Sequence, residues 1–159
     1  MKKKPETILI LDNIRSSHNV GSIFRTADAL GISKIYLVGY TPKPLDRFNR
    51  PSKEIAKTAL GAEKTIPWES KESLPALIRS LRRDTFKVIA LEQSPKSVDY
   101  KKIRLPQKVA IILGNEVDGI DTKTLALCDI ITEIPMHGGK ESLNVAVAWG
   151  VAGFRLLDR

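Results

Sequence analysis

Two apolar runs, Phe86 to Leu91 broken only by Lys87, and Val109 to Leu113 without a break, constrain this chain most. A strand with one wet face alternates apolar and polar residues, so a run without alternation belongs to a strand covered on both sides, as in a parallel sheet between two layers of helix. Thr7 to Leu11 and Lys34 to Val38 are two more β-rich runs. Helical spacing lies between these segments. Val20, Ile23, Phe24, Ala27 and Leu30 lead to Gly31, and Leu74, Leu77, Ile78 and Leu81 share one face of a helix predicted over Ser70 to Asp84. On that helix Arg79, Arg82 and Arg83 turn largely to water. Strands alternating with helices place the chain in the α/β class, with an open, mostly parallel sheet and helices on both faces.

The connections read less regularly. Thr41 to Ser52 contains Pro42, Pro44 and Pro51 and is predicted as an exposed loop, followed by a short helix over Ser52 to Leu60 that Gly61 ends. Lys64 to Trp68 is expected as a brief strand interrupted by Pro67, and Glu92 to Pro106 as a polar linker. The last helix, Leu143 to Leu157, is apolar nearly all round yet too short for a bilayer, so it should be buried on more than one side. Ala146, Gly150 and Gly153 would let another backbone approach, and Trp149 and Phe154 add apolar surface. Burial within its own chain and burial against a second copy both satisfy this pattern.

The 159 residues suit one domain, 1–159, with 1–5 as a disordered tail. Neither a secretory signal nor a run of about 20 apolar residues is present, which predicts a cytoplasmic protein without membrane contact. The single Cys128 cannot form an internal disulfide, and no HxxxH or CxxC pattern suggests a metal. A net charge of +8 points to a polyanionic partner. Lys43, Arg47, Arg50, Lys53 and Lys57 gather in the Pro-rich loop and the helix after it, and Lys101, Lys102, Arg104 and Lys108 in a second linker. Both read as rims that contact RNA phosphates.

Three ordered blocks carry the chemistry: Asn13-Ile-Arg-Ser-Ser-His-Asn19-Val-Gly21-Ser-Ile-Phe-Arg25, then Ile112-Leu-Gly114-Asn115-Glu116-Val-Asp-Gly119, then Ile134-Pro-Met-His-Gly-Gly-Lys-Glu-Ser-Leu-Asn144 running into the apolar helix. A Gly-rich polar loop closing on a helix start offers free N–H groups around a concave site. In order and spacing the blocks resemble the SpoU/TrmH-type RNA 2′-O-ribose methyltransferases of the SPOUT class, over nearly the whole chain from about Ile8. The resemblance implies a deep C-terminal trefoil knot, S-adenosylmethionine as cofactor, a homodimer through the first and last helices, and no metal. It assigns the cofactor to Leu91, Gly114, Asn115, Ile134, Met136, Ser142, Leu143 and Asn144. The absence of GxGxxG after the first strand agrees, since a Rossmann-type site would need it. Read as residues alone, Ser142 and Asn144 could equally be helix caps.

For catalysis the resemblance selects Arg25, Asn19 and Glu116. Arg25 lies off the apolar stripe of the first helix, where an ordinary surface ion pair with Asp28 is the alternative. A guanidinium is a poor base at neutral pH, so its expected role is to orient phosphate and stabilise the developing alkoxide. Asn19 either caps the first helix or holds Arg25 or the ribose. Glu116 either caps the next turn or anchors Arg25, and the resemblance favours the anchor. Val117 and Asp118 stand where most relatives have glycine directly after the glutamate, which leaves the loop shape open. His18 and His137 are the alternative proton acceptors. A compact core should read a compact RNA, which favours tRNA over rRNA. The rival functions are a non-catalytic RNA-binding protein on the same scaffold and a doubly wound nucleotide-binding enzyme with a small-molecule substrate.

Overall fold

In the computed structural model, which describes residues 4–158, the chain forms one seven-stranded sheet. Its strands are β1 (Glu6–Asp12), β2 (Lys34–Val38), β3 (Trp68–Lys71), β4 (Lys87–Leu91), β5 (Val98–Asp99), β6 (Lys108–Leu113) and β7 (Ile130–Glu133). All neighbours pair in parallel, in the order β3-β2-β1-β6-β4-β7-β5. β1, β6 and β4 are the central, fully covered strands, and theirs are the runs whose composition lacks alternation.

Helices cover both faces. On one side α1 (Ser17–Leu30), α2 (Lys53–Ala59), α3 (Ala62–Thr65) and α6 (Val145–Leu157) pack over Leu9, Leu11, Ile35, Leu37, Ile89, Ile111 and Leu113. On the other, α4 (Leu74–Arg83) covers Ile8, Ile10, Val88, Ala90, Ala110 and Ile112, with α5 (Thr122–Leu125) beside it. α1 starts at Ser16, whose Oγ accepts from Asn19 N–H at 3.2 Å, and stops at Gly31, which takes φ 69°. Gly21 is where α1 meets α2, because a Cβ there would lie 2.4 Å from the Ile55 carbonyl oxygen.

Several expected boundaries move, each for a local reason. Lys64 to Trp68 is not a strand. Residues 62–65 form α3, and Pro67, which has no N–H to give a ladder, can only accept, its carbonyl taking the Ile35 N–H, so β3 begins one residue later. α4 accordingly starts at Leu74 rather than Ser70, capped by Ser73 with Pro75 in its first turn. The linker after β4 holds β5 and a 3₁₀ turn over Tyr100–Lys102, and α5 also appears; all are too short to show a period. Asn19 is not the cap of α1, since Ser16 takes that place. α6 starts at Val145 rather than Leu143, because the Asn144 side chain caps it, accepting from Ala146 and Val147 N–H.

The chain alone meets the expectations for the last helix only in part. Only one side of α6 is buried within the chain, through Trp149, Ala152, Gly153 and Leu156, while Val147, Val151 and Phe154 are exposed. Gly153 makes room for the Leu30 side chain rather than for a second backbone, and Gly150 faces open space. Of the expected tail 1–5, residues 1–3 lie outside the described residues. Lys4 donates to the Leu30 carbonyl at 2.6 Å and Pro5 is buried, because the start of β1 is drawn against the end of α1. Among the described residues no helix is long and apolar enough to cross a membrane.

Candidate active site

The carboxyl ends of β6, β4 and β7, adjacent in the sheet, meet around a cavity of about 260 Å³. Open parallel sheets bind ligands at this edge. Leu91, Glu92 and Gln93 line it after β4, residues 113–119 after β6, and Glu133, Ile134, Met136 and Ser142 to Val145 after β7, with Ala148 behind. Leu91, Gly114, Asn115, Ile134, Met136, Ser142, Leu143 and Asn144, which the resemblance assigned to the cofactor, are thus brought to one site.

Hydrogen bonds fix its walls. Asn115 is nine-tenths buried, and its Oδ1 accepts from Val117 and Asp118 N–H, both at 2.8 Å, which settles the turn that the extra residues left open. Asn115 Nδ2 donates to the Asn13 carbonyl and to Tyr40 Oη, so this side chain builds the wall and leaves only its main chain to a ligand. Gly114 is required by close approach: a Cβ would stand 2.8 Å from the Gly119 carbonyl carbon. Glu92 Oε2 accepts from Ile120 N–H at 3.0 Å, and Gln93 Nε2 donates to the Glu141 carbonyl. Both residues were missed in the sequence, although a polar pair at the carboxyl end of a buried strand is the signal that could have found them.

The first and last blocks meet at the rim. Glu116 accepts from Arg15 and Ser16 N–H and from Asn19 Nδ2, and Asn19 Oδ1 accepts from Asn144 Nδ2 at 3.1 Å. Burial alone would raise the Glu116 carboxyl, yet these bonds, Arg15 N–H foremost, hold it below the ordinary value. Within its own chain Glu116 therefore caps the entry to α1 and makes no contact with Arg25: a row of N–H groups offers it several charge-assisted bonds at once.

Arg25 stands elsewhere. Exposed on α1, it shares a shallow depression with Ser22, Thr26, Ala29, Lys57, Thr58 and Phe154 and is not on the cavity wall of its own chain. It makes no ion pair or hydrogen bond among the described residues, and Asp28 instead accepts from Thr65 Oγ1. Arg47, Arg50, Lys53 and Lys57 are all exposed, on the loop and α2. His18 and His137 are exposed and off the cavity wall. Cys128 is half-buried, its thiol pushed up to about 11 by burial.

The arrangement can hold a small molecule with an apolar plane and hydrogen-bond acceptors. Leu91, Ile134, Met136, Leu143 and Val145 give apolar walls, while the main-chain N–H groups of Met136, Ser142 and Leu143 have no acceptor among the described residues.

Comparison with known proteins gives a consistent result. The family model described as SpoU rRNA Methylase family matches residues 6–154. The 23S rRNA (guanosine-2'-O-)-methyltransferase RlmB of Neisseria meningitidis serogroup B is 34% identical over 148 residues, 93% of this chain and 56% of that protein. A crystal structure of an AdoMet-bound rRNA methyltransferase from Sinorhizobium meliloti superposes with TM-score 0.86 at 33% identity, covering 97% of this chain and 56% of that one. A structure described as giving insights into the 2-OH methylation of C/U34 on tRNA has TM-score 0.81 and 25% identity, covering 97% of this chain and 95% of that one. The chain spans about half the length of the curated relatives it matches.

Proposed function

Because the chain belongs to the SpoU rRNA methylase family, we propose that it methylates a ribose 2′-hydroxyl in RNA with S-adenosylmethionine as donor. One observation carries this reading: the strand-edge cavity has apolar walls and unpaired main-chain donors contributed by the second and third blocks. Ile134, Met136 and Leu143 would flank the adenine, and the N–H groups of Met136, Ser142 and Leu143 would take its polar atoms. When bound, the cofactor's sulfonium supplies an electrophilic methyl group. The Glu116–Asn19–Asn144 chain holds the starts of α1 and α6 together at the rim, where the ribose must enter. Arg25 would orient an RNA phosphate and stabilise negative charge on the ribose oxygen.

That role needs a second copy. α1 and α6 touch at both ends, Asn19 with Asn144 and Leu30 with Gly153, so they run in the same sense with both starts at the cavity. A two-fold axis across them turns one copy end for end against the other and would carry Arg25 toward the partner's rim. The exposed Val147, Val151 and Phe154 are the apolar surface such a dimer covers. The threaded C-terminus is supported by the linker between β4 and β6, which touches the last segment at three separate places. Val98 O accepts from Thr132 Oγ1, Gln93 donates to Glu141, and Lys101 O accepts from Arg155.

Ribosomal RNA is the substrate class we favour, in place of the tRNA that compactness suggested, because RlmB proteins at 32 to 34% identity are named for 23S rRNA. The tRNA reading keeps support in the C/U34-related structure of nearly equal length and in Staphylococcus aureus relatives, 33% identical, named putative TrmH family tRNA/rRNA methyltransferases. Mass spectrometry of ribose-methylated nucleosides in both RNA fractions, from cells with and without the protein, separates the two. The expected result is one 2′-O-methylnucleoside lost from rRNA and restored by labelled cofactor and purified protein in vitro. Unchanged profiles in both fractions, with no label transfer, would reject the activity.

A further inference from the structure

The loop between β2 and α2 is built to present one side chain. Thr41 anchors its start, with Oγ1 donating toward the Leu11 and Val38 carbonyls and accepting from Ile14 N–H. Leu45 bridges Pro51, and Ser52 N–H donates to the Pro44 carbonyl, which closes residues 45–51 into a tight tongue. Asp46 organises the tip: Oδ1 accepts from Phe48 and Arg50 N–H, and Oδ2 from Arg50 Nε at 2.7 Å. Phe48 is held at the apex, 62% exposed, although none of these bonds needs an aromatic side chain there. The Arg47 and Arg50 guanidinium carbons lie 4.8 and 5.0 Å from its ring centroid. Asp46 balances one of these cations and Arg47 has no carboxylate partner among the described residues.

We propose that Phe48, flanked by Arg47 and Arg50, is a stacking platform for an unpaired nucleobase of the RNA. An exposed phenyl ring between cations fits a flat π-face joined to a phosphate, whereas a duplex hides its base faces and offers phosphates alone. The surroundings supply the path. Lys53 and Lys57 lie one turn apart on α2, and Lys57 shares a depression with Arg25, so cationic groups lead from the tongue toward the α1 face. At the other end of the loop, Tyr40 is hydrogen-bonded to Asn115 of the cavity wall. The RNA segment is thus single-stranded beside the target nucleotide, in a loop or bulge. This rests on the RNA-substrate reading above but not on methyl transfer.

The test is fluorescence anisotropy of the purified full chain with a labelled 12-nucleotide single-stranded RNA, the same strand in a duplex, and the same strand with abasic positions. Phe48→Leu keeps the apolar volume and removes the π-face. It should weaken single-strand binding on the order of tenfold and leave the duplex and abasic RNAs unaffected. Phe48→Trp should restore affinity, with its added fluorescence quenched by the single strand only. Equal affinity of Phe48→Leu and wild type for the single strand overturns the proposal, as does an equal loss on abasic RNA, which would make the ring merely structural. Cofactor binding by calorimetry, run on the same variants, should not change. If cofactor binding and transfer are absent from wild type as well, the methyltransferase reading fails while the stacking result stands.

Discussion

The two faces of the sheet are finished differently. α4 closes its side with Leu74, Leu77, Ile78 and Leu81 inward and Arg79 and Arg83 in water, a surface complete in one chain. α6 closes the other side with Trp149, Ala152 and Leu156 but leaves Val147, Val151 and Phe154 outward, beside an Arg25 that has no partner among the described residues. Polar groups divide the other way. At the carboxyl edge of the α1/α6 face Glu116, Asn19 and Asn144 satisfy one another, while on the α4/α5 face Asp12 is buried with no hydrogen bond to its carboxylate among the described residues. The first face leaves large apolar side chains in solvent, and the second encloses its own.

The largest effect should come from dividing the site between copies. Arg25→Ala should slow methyl transfer on the order of 10²- to 10³-fold, with cofactor affinity and Tm unchanged, since within its own chain the side chain touches neither the cavity wall nor any polar partner among the described residues. Leu143→Arg places a bulky cation on the wall meant for a sulfonium and should abolish cofactor binding. A heterodimer of the two variants, isolated with two affinity tags, then retains one intact cavity facing one intact Arg25. It should recover about half of wild-type turnover. No recovery in the isolated heterodimer would mean that Arg25 serves its own chain, and the contrast between the faces would lose its functional meaning.

How much of this was legible follows the length scale of each signal. β1, β2, β4 and β6 and the helices α1 and α4 were readable because runs and periods extend over enough residues to separate strand from helix. β5 and α5 were not, and Pro67 hid the register of β3 because its missing N–H marks a boundary without saying on which side the strand lies. The cavity residues could be grouped only through the family resemblance, which ties together loops that no local pattern connects. The partner of Glu116 could not: spacing places a carboxylate in a loop but does not aim it, and the N–H groups of Arg15 and Ser16 won over Arg25 by proximity. Asn19 and Asn144 meet across a separation that no local pattern encodes.

The next effect concerns the enclosed face. Burial, with Asp121 nearby, raises the Asp12 carboxyl from an ordinary 3.8 to about 6. A raised carboxylate destabilises the fold when ionised: the cost is absent below the unfolded value, grows between the two and is complete above about pH 6. Asp12→Asn should therefore raise the unfolding free energy by up to about 3 kcal/mol at pH 8 and by almost nothing once the pH is well below the unfolded value, where both side chains are neutral. Urea denaturation at the two pH values measures it. A loss of stability at pH 8 would mean that Asp12 has a partner that matters.

The smallest effect lies on the α1/α6 face, and its sign is opposite. Glu116 is held below its ordinary value, so its contribution is present above about pH 4.5 and disappears as pH falls through the lower folded value. Glu116→Gln keeps the shape but turns an amide N–H toward donors, losing the charge-assisted bonds to Arg15 and Ser16. Because the group is exposed and screened by solvent, the cost at pH 7 should be only about 1 kcal/mol, and it should fade as the pH drops through the lowered folded value. Hydrogen exchange should show it at the start of α1 before Tm does, since the carboxylate ties that end to the cavity rim. Uniform loosening of the whole chain instead would mean that the rim is part of the general core, and the two edges would no longer differ in kind.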